Sequence, residues 1–139
     1  MNNLVLMSIQ TKYANEIFSG RKKYEYRKSS IGENNLNKKI YIYSAKVDKK
    51  IIGYIIIDKV LKGTIDEIIE KTNPKEANIR DYFSNAKLAY ALHIKSFHKF
   101  ESPIGLKELK KIDKNIMLPQ YYKYIKENNK IYTLLKERT

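Results

Sequence analysis

The chain has 139 residues, enough for one domain with a single hydrophobic core, and we expect residues 1–139 to form that domain. It contains no cysteine, which excludes disulfides and thiolate metal sites and fits a reducing compartment. No apolar run approaches the ~20 residues that a membrane-spanning helix needs, and the N-terminus shows no signal-peptide pattern. We therefore expect a cytoplasmic protein that does not enter a membrane.

The formal net charge is +13, from 28 Lys and Arg against 15 Asp and Glu. Such a surplus is typical of proteins that bind polyanions, although an AT-rich genome also produces lysine-rich chains. The distribution of charge separates the two explanations. Residues 12–50 carry a net charge of +7, whereas residues 58–81 carry −1. This concentration favours a basic face built from the first third of the chain.

Periodicity in the first half of the chain predicts four strands and one helix. The short strands are Leu4–Ile9, Lys22–Lys28 and Lys39–Ala45, and an amphipathic helix, Thr11–Ser19, follows the first of them. Ile51–Leu61 is apolar and largely β-branched, which predicts a central strand buried on both faces. Most of the 12 tyrosines fall within such segments and are expected to pack in the core.

Two local signals refine this assignment. Gly53 interrupts the long apolar run and predicts a bulge or a close backbone approach. Thr64 and Glu67 have the spacing of a capping box, in which each side chain bonds a backbone N–H at the start of a helix. A further helical turn or two is predicted within Glu76–Phe83.

The remaining residues predict one more long strand and two more helices. The strand is Lys87–Phe100 and we expect Pro103 to end it, because proline lacks a backbone N–H. A short helix is predicted over Ile104–Lys111. A last helical stretch is predicted to start at Pro119 and to run through Leu135.

These elements do not alternate regularly, which argues against a doubly wound fold. Short and long strands with scattered short helices favour an α+β protein instead. We expect a small mixed β-barrel of five to six strands, closed or nearly closed, with the helices at its rim.

The segment Gly20–Arg27 is the strongest candidate for a functional site. Gly20 stands where a helix needs a residue that tolerates positive φ, and the period then changes from helical to alternating. Two tyrosines point to one side of the strand. A base, an acid and a second base project together from the other side: Lys23, Glu25 and Arg27. An exposed, salt-bridged strand face would produce the same spacing without any ligand.

The residues Gly20, Lys22, Glu25 and Arg27 match the G-x-K-x-x-E-x-R motif, and the chain therefore resembles the ASCH domains of the PUA-like superfamily. Flanking segments agree with this resemblance over roughly residues 4–125: Ser8-Ile9, Tyr13-Ala14, Ile17–Gly20, Tyr43-Ser44, Gly53, Tyr82-Phe83 and Pro119–Tyr121. The resemblance implies a β-barrel with a cleft that takes RNA or a modified nucleotide. Some relatives are ribonucleases, and one small branch hydrolyses acetylated cytidine. That branch has a threonine where this chain has Glu25, which argues against amidohydrolase activity.

Physical chemistry suggests roles for the motif residues. Lys22, at the helix-to-strand corner, suits a phosphate contact at the rim of a cleft, and Arg27 offers two parallel donors to a phosphate or a base edge. Glu25 accepts from an exocyclic amino group or holds a neighbouring base in place. The full set of predicted nucleic-acid contacts is Ser8, Lys12, Lys22, Lys23, Glu25, Arg27, Ser44, Gln120 and Tyr121. Ser8 and Ser44, at strand ends, would equally serve as backbone caps.

Three functions fit these residues. The first is binding of single-stranded RNA or a modified nucleotide in a basic cleft around Gly20–Arg27. The second is a ribonuclease acting on single-stranded RNA, with Lys22 and Glu25 as acid and base. The third is a transcription-related module that binds an acidic protein. We expect no cofactor and no metal site, because His93 and His98 point to opposite faces of a regular strand. The oligomeric state stays open.

Overall fold

The computed structural model describes residues 2–139; Met1, the first residue of the predicted domain, lies outside the described residues. The strands are β1 (Leu4–Gln10), β2 (Tyr24–Arg27), β3 (Lys39–Ala45), β4 (Lys50–Gly63), β5 (Ala89–Gly105) and β6 (Tyr122–Ile125). The helices are α1 (Thr11–Phe18), α2 (Ile65–Thr72), α3 (Ile79–Phe83), α4 (Leu106–Ile112) and α5 (Tyr132–Glu137), with a 3₁₀ turn at Glu33–Asn35.

The six strands form one mixed sheet in the order β2-β5-β4-β3-β1-β6. β1 and β3 are parallel, and the other neighbouring pairs are antiparallel. The predicted α+β class, with mixed strands and short helices around them, is confirmed. The backbone ladder ends at β2 on one side and at β6 on the other, so within residues 2–139 the barrel is not closed by strand pairing.

Side chains link β2 and the residues after it to β1 and to the residue before β6. The Arg27 Nη2 on β2 donates to the Ser8 carbonyl oxygen on β1 at 2.7 Å, although these strands are not neighbours in the ladder. The Tyr121 hydroxyl donates to the Ser29 carbonyl oxygen at 2.8 Å. Because polar side chains rather than a backbone ladder span this gap, the two strands leave room for a cleft between them.

Apolar residues pack on both faces of the sheet. Val5 and Met7 of β1 lie in one core with Ile17 of α1, whereas Leu6 lies in a second core with Leu109 of α4. β1 is therefore buried on both faces, which explains the unbroken apolar run at residues 4–7. A third, smaller cluster covers β2 with α2 and α3 and includes Tyr26, Ile68, Ile79 and Phe83.

The close approach predicted at Gly53 is confirmed. A Cβ atom there would lie 2.0 Å from the carbonyl oxygen of His98 and 2.9 Å from the Phe18 ring. The register of β4 against β5 shifts between Ile51 and Gly53, as a bulge requires. Glycine at this position lets α1 and β5 pack directly on β4.

The capping box is also confirmed: the Glu67 backbone N–H donates to the Thr64 hydroxyl, and the Thr64 N–H donates to the Glu67 carboxylate. The end of the strand predicted at Pro103 is wrong, because β5 continues to Gly105. Lys99 pairs with Gly53 and Ile104 with Ile51, so Pro103 lies in an irregular stretch where no ladder hydrogen bond is needed.

The helix predicted from Pro119 is wrong in its first part. Tyr122–Ile125 is a strand that pairs antiparallel with β1, from Leu4 opposite Ile125 to Met7 opposite Tyr122. Helix follows only at Tyr132. The backbone groups of this segment bond to the open edge of β1, whereas a short helix without such packing is only marginally stable. This long-range pairing overrides the helical periodicity of the local sequence.

Among the described residues 2–139, every helix is too short or too polar to cross a membrane.

Candidate nucleic-acid interface

A cleft of about 550 Å³ opens between β1, β2 and the segment that leads into α3. We call it the first cleft. Five of the residues predicted from the sequence line it: Ser8, Lys22, Glu25, Arg27 and Gln120. They come from three separate segments of the chain, and the fold brings them to one place.

Lys22 enters the first cleft from the turn between α1 and β2. Gly20, at φ 81°, ends the helix, and the Lys22 backbone N–H still donates to the Glu16 carbonyl oxygen. The Lys22 ammonium lies 3.2 Å from the Glu76 carboxylate and 4.6 Å from the centre of the Tyr26 ring. Its side chain is 7% exposed. Lys22 is therefore part of a buried wall and not an exposed rim.

Glu25 and Arg27 project from the same side of β2, as their spacing predicted. The Arg27 Nε donates to the Glu25 carboxylate at 2.8 Å, and the guanidinium lies 4.6 Å above the Tyr121 ring. With its bond to the Ser8 carbonyl oxygen, the planar guanidinium has three partners at once. Glu25 and Arg27 thus form the ion pair that their spacing suggested, but the pair is largely buried, because Glu25 is only 5% exposed.

Two polar atoms of the first cleft are buried and have no hydrogen-bond partner within the described part of the chain. They are the Ser8 hydroxyl oxygen and the second carboxylate oxygen of Glu76, Oε2. Leaving a buried acceptor without a partner costs about 1–3 kcal/mol, so each of these two atoms calls for a partner that residues 2–139 do not supply. No local pattern in the sequence marks Glu76, which follows the Asn73-Pro74 break.

Two tyrosines occupy different positions around the first cleft. Tyr121, predicted to stack on a base, already carries Arg27 on its ring, and burial raises the pKa of its hydroxyl. Tyr82 of α3 lines the cleft and is 39% exposed, and burial of its hydroxyl also raises its pKa. The sequence identified Tyr82 only as part of a turn, yet its ring is the more accessible of the two.

Ser44 lies outside the first cleft and is fully buried. Its hydroxyl donates to the Thr11 Oγ1 at 2.9 Å and lies 3.0 Å from the Asp48 carboxylate. The Thr11 Oγ1 also accepts from the Asp48 backbone N–H at 3.1 Å. Ser44 thus ties the turn after β3 to the start of α1, and that turn carries Lys46 into the first cleft.

A second cavity, of about 810 Å³, is also lined by the Lys22–Glu76 ion pair. Lys12 and Lys23, both predicted to contact nucleic acid, line this second cavity and not the first cleft. The two spaces share five lining residues, which we call the shared wall: Tyr13, Lys22, Tyr26, Glu76 and Asn78.

The two spaces differ in charge. Three cations and three carboxylates line the first cleft: Lys22, Arg27 and Lys46 against Glu25, Glu76 and Asp81. Five cations and two carboxylates line the second cavity: Lys12, Arg21, Lys22, Lys23 and Lys75 against Glu16 and Glu76. The prediction of a basic cleft is therefore not confirmed for the first cleft, whose charges balance. The basic surplus lies next to it.

No group of three or more His, Asp or Glu side chains in residues 2–139 is placed to hold a metal ion. His93 instead pairs with a single carboxylate, Asp58, at 2.7 Å, and the hydrogen bond from His93 lowers the pKa of Asp58.

The open mixed sheet with short helices at its rim has the ASCH and PUA-like fold. The family model of the ASCH domain matches residues 7–135, and the chain belongs to this family. A curated relative from Zymomonas mobilis, named an ASCH domain-containing ribonuclease, is 27% identical over 138 residues, covering 95% of this chain and 92% of the relative.

Solved structures agree on the fold. The crystal structure of ASCH from Zymomonas mobilis superposes with a TM-score of 0.81 at 24% identity, covering 97% of this chain and 95% of that one. A tyrosine-to-phenylalanine mutant of the same protein gives 0.83 at 23% identity over 99% and 100% of the two chains. The N-terminal domain of Staphylothermus marinus McrB gives 0.59 at 15% identity over 100% and 99%.

Proposed function

We propose that the protein binds single-stranded RNA and holds one nucleotide in the first cleft. The observation that carries this proposal is the convergence of Lys22, Glu25 and Arg27 with two buried, unpartnered polar atoms in a single space of about 550 Å³. The name of the curated relative supports RNA as the ligand. We also propose that residues 1–139 act as one domain in the cytoplasm, for which the cysteine-free sequence is the support.

The first cleft suits a nucleoside better than a run of phosphates. Its cations are matched by carboxylates, so little net attraction for a polyanion remains there. The free oxygens of Ser8 and Glu76 accept N–H groups from the edge of an unpaired base. The Tyr82 ring is 39% exposed and has the Lys28 ammonium 5.4 Å from its centre. It offers a stacking surface, worth about 1–3 kcal/mol per base.

Binding of fluorescently labelled single-stranded RNA, measured by anisotropy, tests this proposal. Because the lost stack is worth about 1–3 kcal/mol, Tyr82→Ala is expected to weaken binding by roughly 5- to 150-fold. Tyr124→Ala is the matched control, since Tyr124 is 40% exposed and lies outside both spaces. Equal loss of affinity in the two variants, or no RNA binding by the wild type, would overturn the proposal.

A second proposed function is ribonuclease activity, which the name of the curated relative favours. Glu25 would take the proton of a ribose 2′-hydroxyl as its oxygen attacks the adjacent phosphorus, and Lys22 would protonate the leaving 5′-oxygen. Arg27 would stabilise the charge that develops on the phosphorane. Both proposed acid–base groups already have ion-pair partners, Glu76 for Lys22 and Arg27 for Glu25.

Cleavage of labelled single-stranded RNA by wild type and Glu25→Gln separates binding from catalysis. A ribonuclease is expected to lose most of its activity in this variant. Equal cleavage by the two proteins would indicate a contaminating nuclease, and RNA binding without cleavage by either protein would leave the first proposal alone.

A further inference from the structure

We propose that the second cavity is a subsite for the phosphodiester backbone of the RNA strand, next to the nucleotide held in the first cleft. This inference rests on the proposed function, because it assumes that the first cleft takes a nucleotide. It assigns to the second cavity the phosphate contacts that the first cleft, with its balanced charges, does not supply.

Position is the first argument. The two spaces are adjacent, because both are lined by the five residues of the shared wall, which include the ion pair of Lys22 and Glu76. A strand with one nucleotide in the first cleft therefore has to cross only this wall to reach the second cavity. Tyr13 and Tyr26 lie in that wall, and the Lys22 ammonium rests against both rings.

Charge is the second argument. Of the five cations in the second cavity, two already have partners: Arg21 bonds Glu16 at 3.0 Å, and Lys22 bonds Glu76. The other three are exposed, and no ion pair involving them is found in residues 2–139: Lys12, Lys23 and Lys75. Three flexible ammonium groups around one concave space suit a chain of phosphates, because each ammonium group can neutralise one phosphate at close range.

The sequence separates these lysines widely, which argues against a simple run of like charges. Lys12 is on α1, Lys23 directly precedes β2, and Lys75 lies in the loop after α2. The fold places them around one cavity. By contrast, Lys107, Lys110 and Lys111 are clustered on the exposed side of α4, away from both spaces.

Affinities for short RNA of different length test the proposal. The probes are RNA tetranucleotides of each base and the corresponding mononucleoside monophosphates, measured by calorimetry with wild type and with the triple variant Lys12→Gln, Lys23→Gln, Lys75→Gln. The variant is expected to bind the tetranucleotide at least tenfold more weakly at physiological salt. The slope of log affinity against log salt concentration is expected to be shallower by about 2 for the variant. Each phosphate contact contributes about 0.7 to this slope for single strands, and the variant loses three such contacts. Its affinity for the mononucleotide should fall much less, because a single phosphate meets only part of the lysine set.

The triple variant Lys107→Gln, Lys110→Gln, Lys111→Gln removes the same charge from α4 and serves as the matched control. If both triple variants weaken tetranucleotide binding equally, net charge explains the effect and the subsite is overturned. Wild type that binds mononucleotide and tetranucleotide equally tightly would also overturn the subsite, while the first cleft keeps its proposed role. Wild type that binds neither probe overturns both proposals.

Inorganic phosphate separates a strand subsite from a general anion site. It is expected to compete only weakly with the tetranucleotide, because a single phosphate meets only part of the lysine set. If phosphate at the same concentration displaces the tetranucleotide completely, the cavity is a free-anion site and the proposal is wrong. Circular dichroism melts of both triple variants confirm that each remains folded.

Discussion

The first cleft and the second cavity share one wall but differ in how their charges are arranged. In the first cleft Lys22 pairs with Glu76 and Arg27 with Glu25, Lys46 is in none of the ion pairs found in residues 2–139, and the motif residues Lys22 and Glu25 are buried. In the second cavity three lysines are exposed, and the ion pairs of residues 2–139 do not include them. A net charge of +13 therefore does not identify the binding site, because a cation that is already paired with a carboxylate attracts a polyanion less than an unpaired one does.

This contrast fits a division of work that is general among nucleic-acid-binding proteins. Phosphate contacts position a strand and supply salt-dependent affinity, whereas contacts to base edges supply selectivity. In our proposals the second cavity supplies the phosphate contacts and the first cleft supplies the contacts to a base edge. The shared wall couples them, and a change in the wall is expected to affect both.

We expect Gly53→Ala to lower stability most and to disrupt both spaces together. The new methyl group would lie 2.0 Å from the His98 carbonyl oxygen and 2.9 Å from the Phe18 ring, so β5 and the end of α1 must move. We expect a loss of about 3 kcal/mol or more in the free energy of unfolding, measured with urea. Gly105→Ala is the control, because a Cβ there meets nothing within 4 Å. Equal stability of the two variants would contradict this.

Glu76→Gln should have the next largest effect, because it leaves the Lys22 ammonium buried without its carboxylate partner. We expect a loss of about 2–4 kcal/mol in the free energy of unfolding, together with weaker binding of both mononucleotide and tetranucleotide. Asp66→Asn breaks the exposed ion pair with Arg80 and should leave stability unchanged. A Glu76→Gln variant as stable as Asp66→Asn would show that the wall does not depend on this ion pair.

Alkaline pH is expected to loosen the shared wall through Tyr26. Burial raises the pKa of Tyr26 from 10.0 to about 12. Between these values the unfolded chain loses the hydroxyl proton while the folded chain keeps it, so the free energy of unfolding falls as pH rises above 10. The loss reaches roughly 2–3 kcal/mol near pH 12.

Urea unfolding of wild type and Tyr26→Phe, at neutral pH and above pH 10, measures this effect. The variant is less stable at neutral pH, because it lacks the 2.8 Å hydrogen bond from Tyr26 to Thr72, but its decline with pH should be shallower. Parallel curves for the two proteins would mean that other tyrosines, such as Tyr41 and Tyr43, whose pKa values burial also raises, account for the decline.

The smallest expected effect on stability is that of the triple variant Lys12→Gln, Lys23→Gln, Lys75→Gln. These side chains are exposed, and we expect a change within about 0.5 kcal/mol in the free energy of unfolding. The same variant is expected to show a large loss of tetranucleotide affinity, so stability and binding should separate. A thermal melt shifted as far as that of Glu76→Gln would place these lysines among the structural residues.

Much of the fold was predictable because its signals are local. The capping box of Thr64 and Glu67, the end of α1 just before Gly20 and the alternation along β2 each depend on residues only a few positions apart. The helix predicted across Tyr122–Ile125 was wrong for the opposite reason. The partner that makes this segment a strand, β1, lies more than a hundred residues away.

The candidate site shows the same division. The sequence placed Glu25 and Arg27 on one face of a strand, because side chains alternate along any strand. It could not identify Glu76 as the partner of Lys22, nor Tyr82 as an accessible ring, since neither residue belongs to a recognisable local pattern. It also grouped Lys12 and Lys23 with the motif, whereas they line the neighbouring space.

Short-range spacing alone thus establishes the family motif, the α+β class and the side of β2 on which the charged residues lie. Only the packing of distant segments decides which charged side chains form ion pairs, which remain unpaired and which residues form the shared wall. The physical reason is that backbone periodicity is set within a few residues, whereas burial and ion pairing depend on whichever parts of the chain the core brings together.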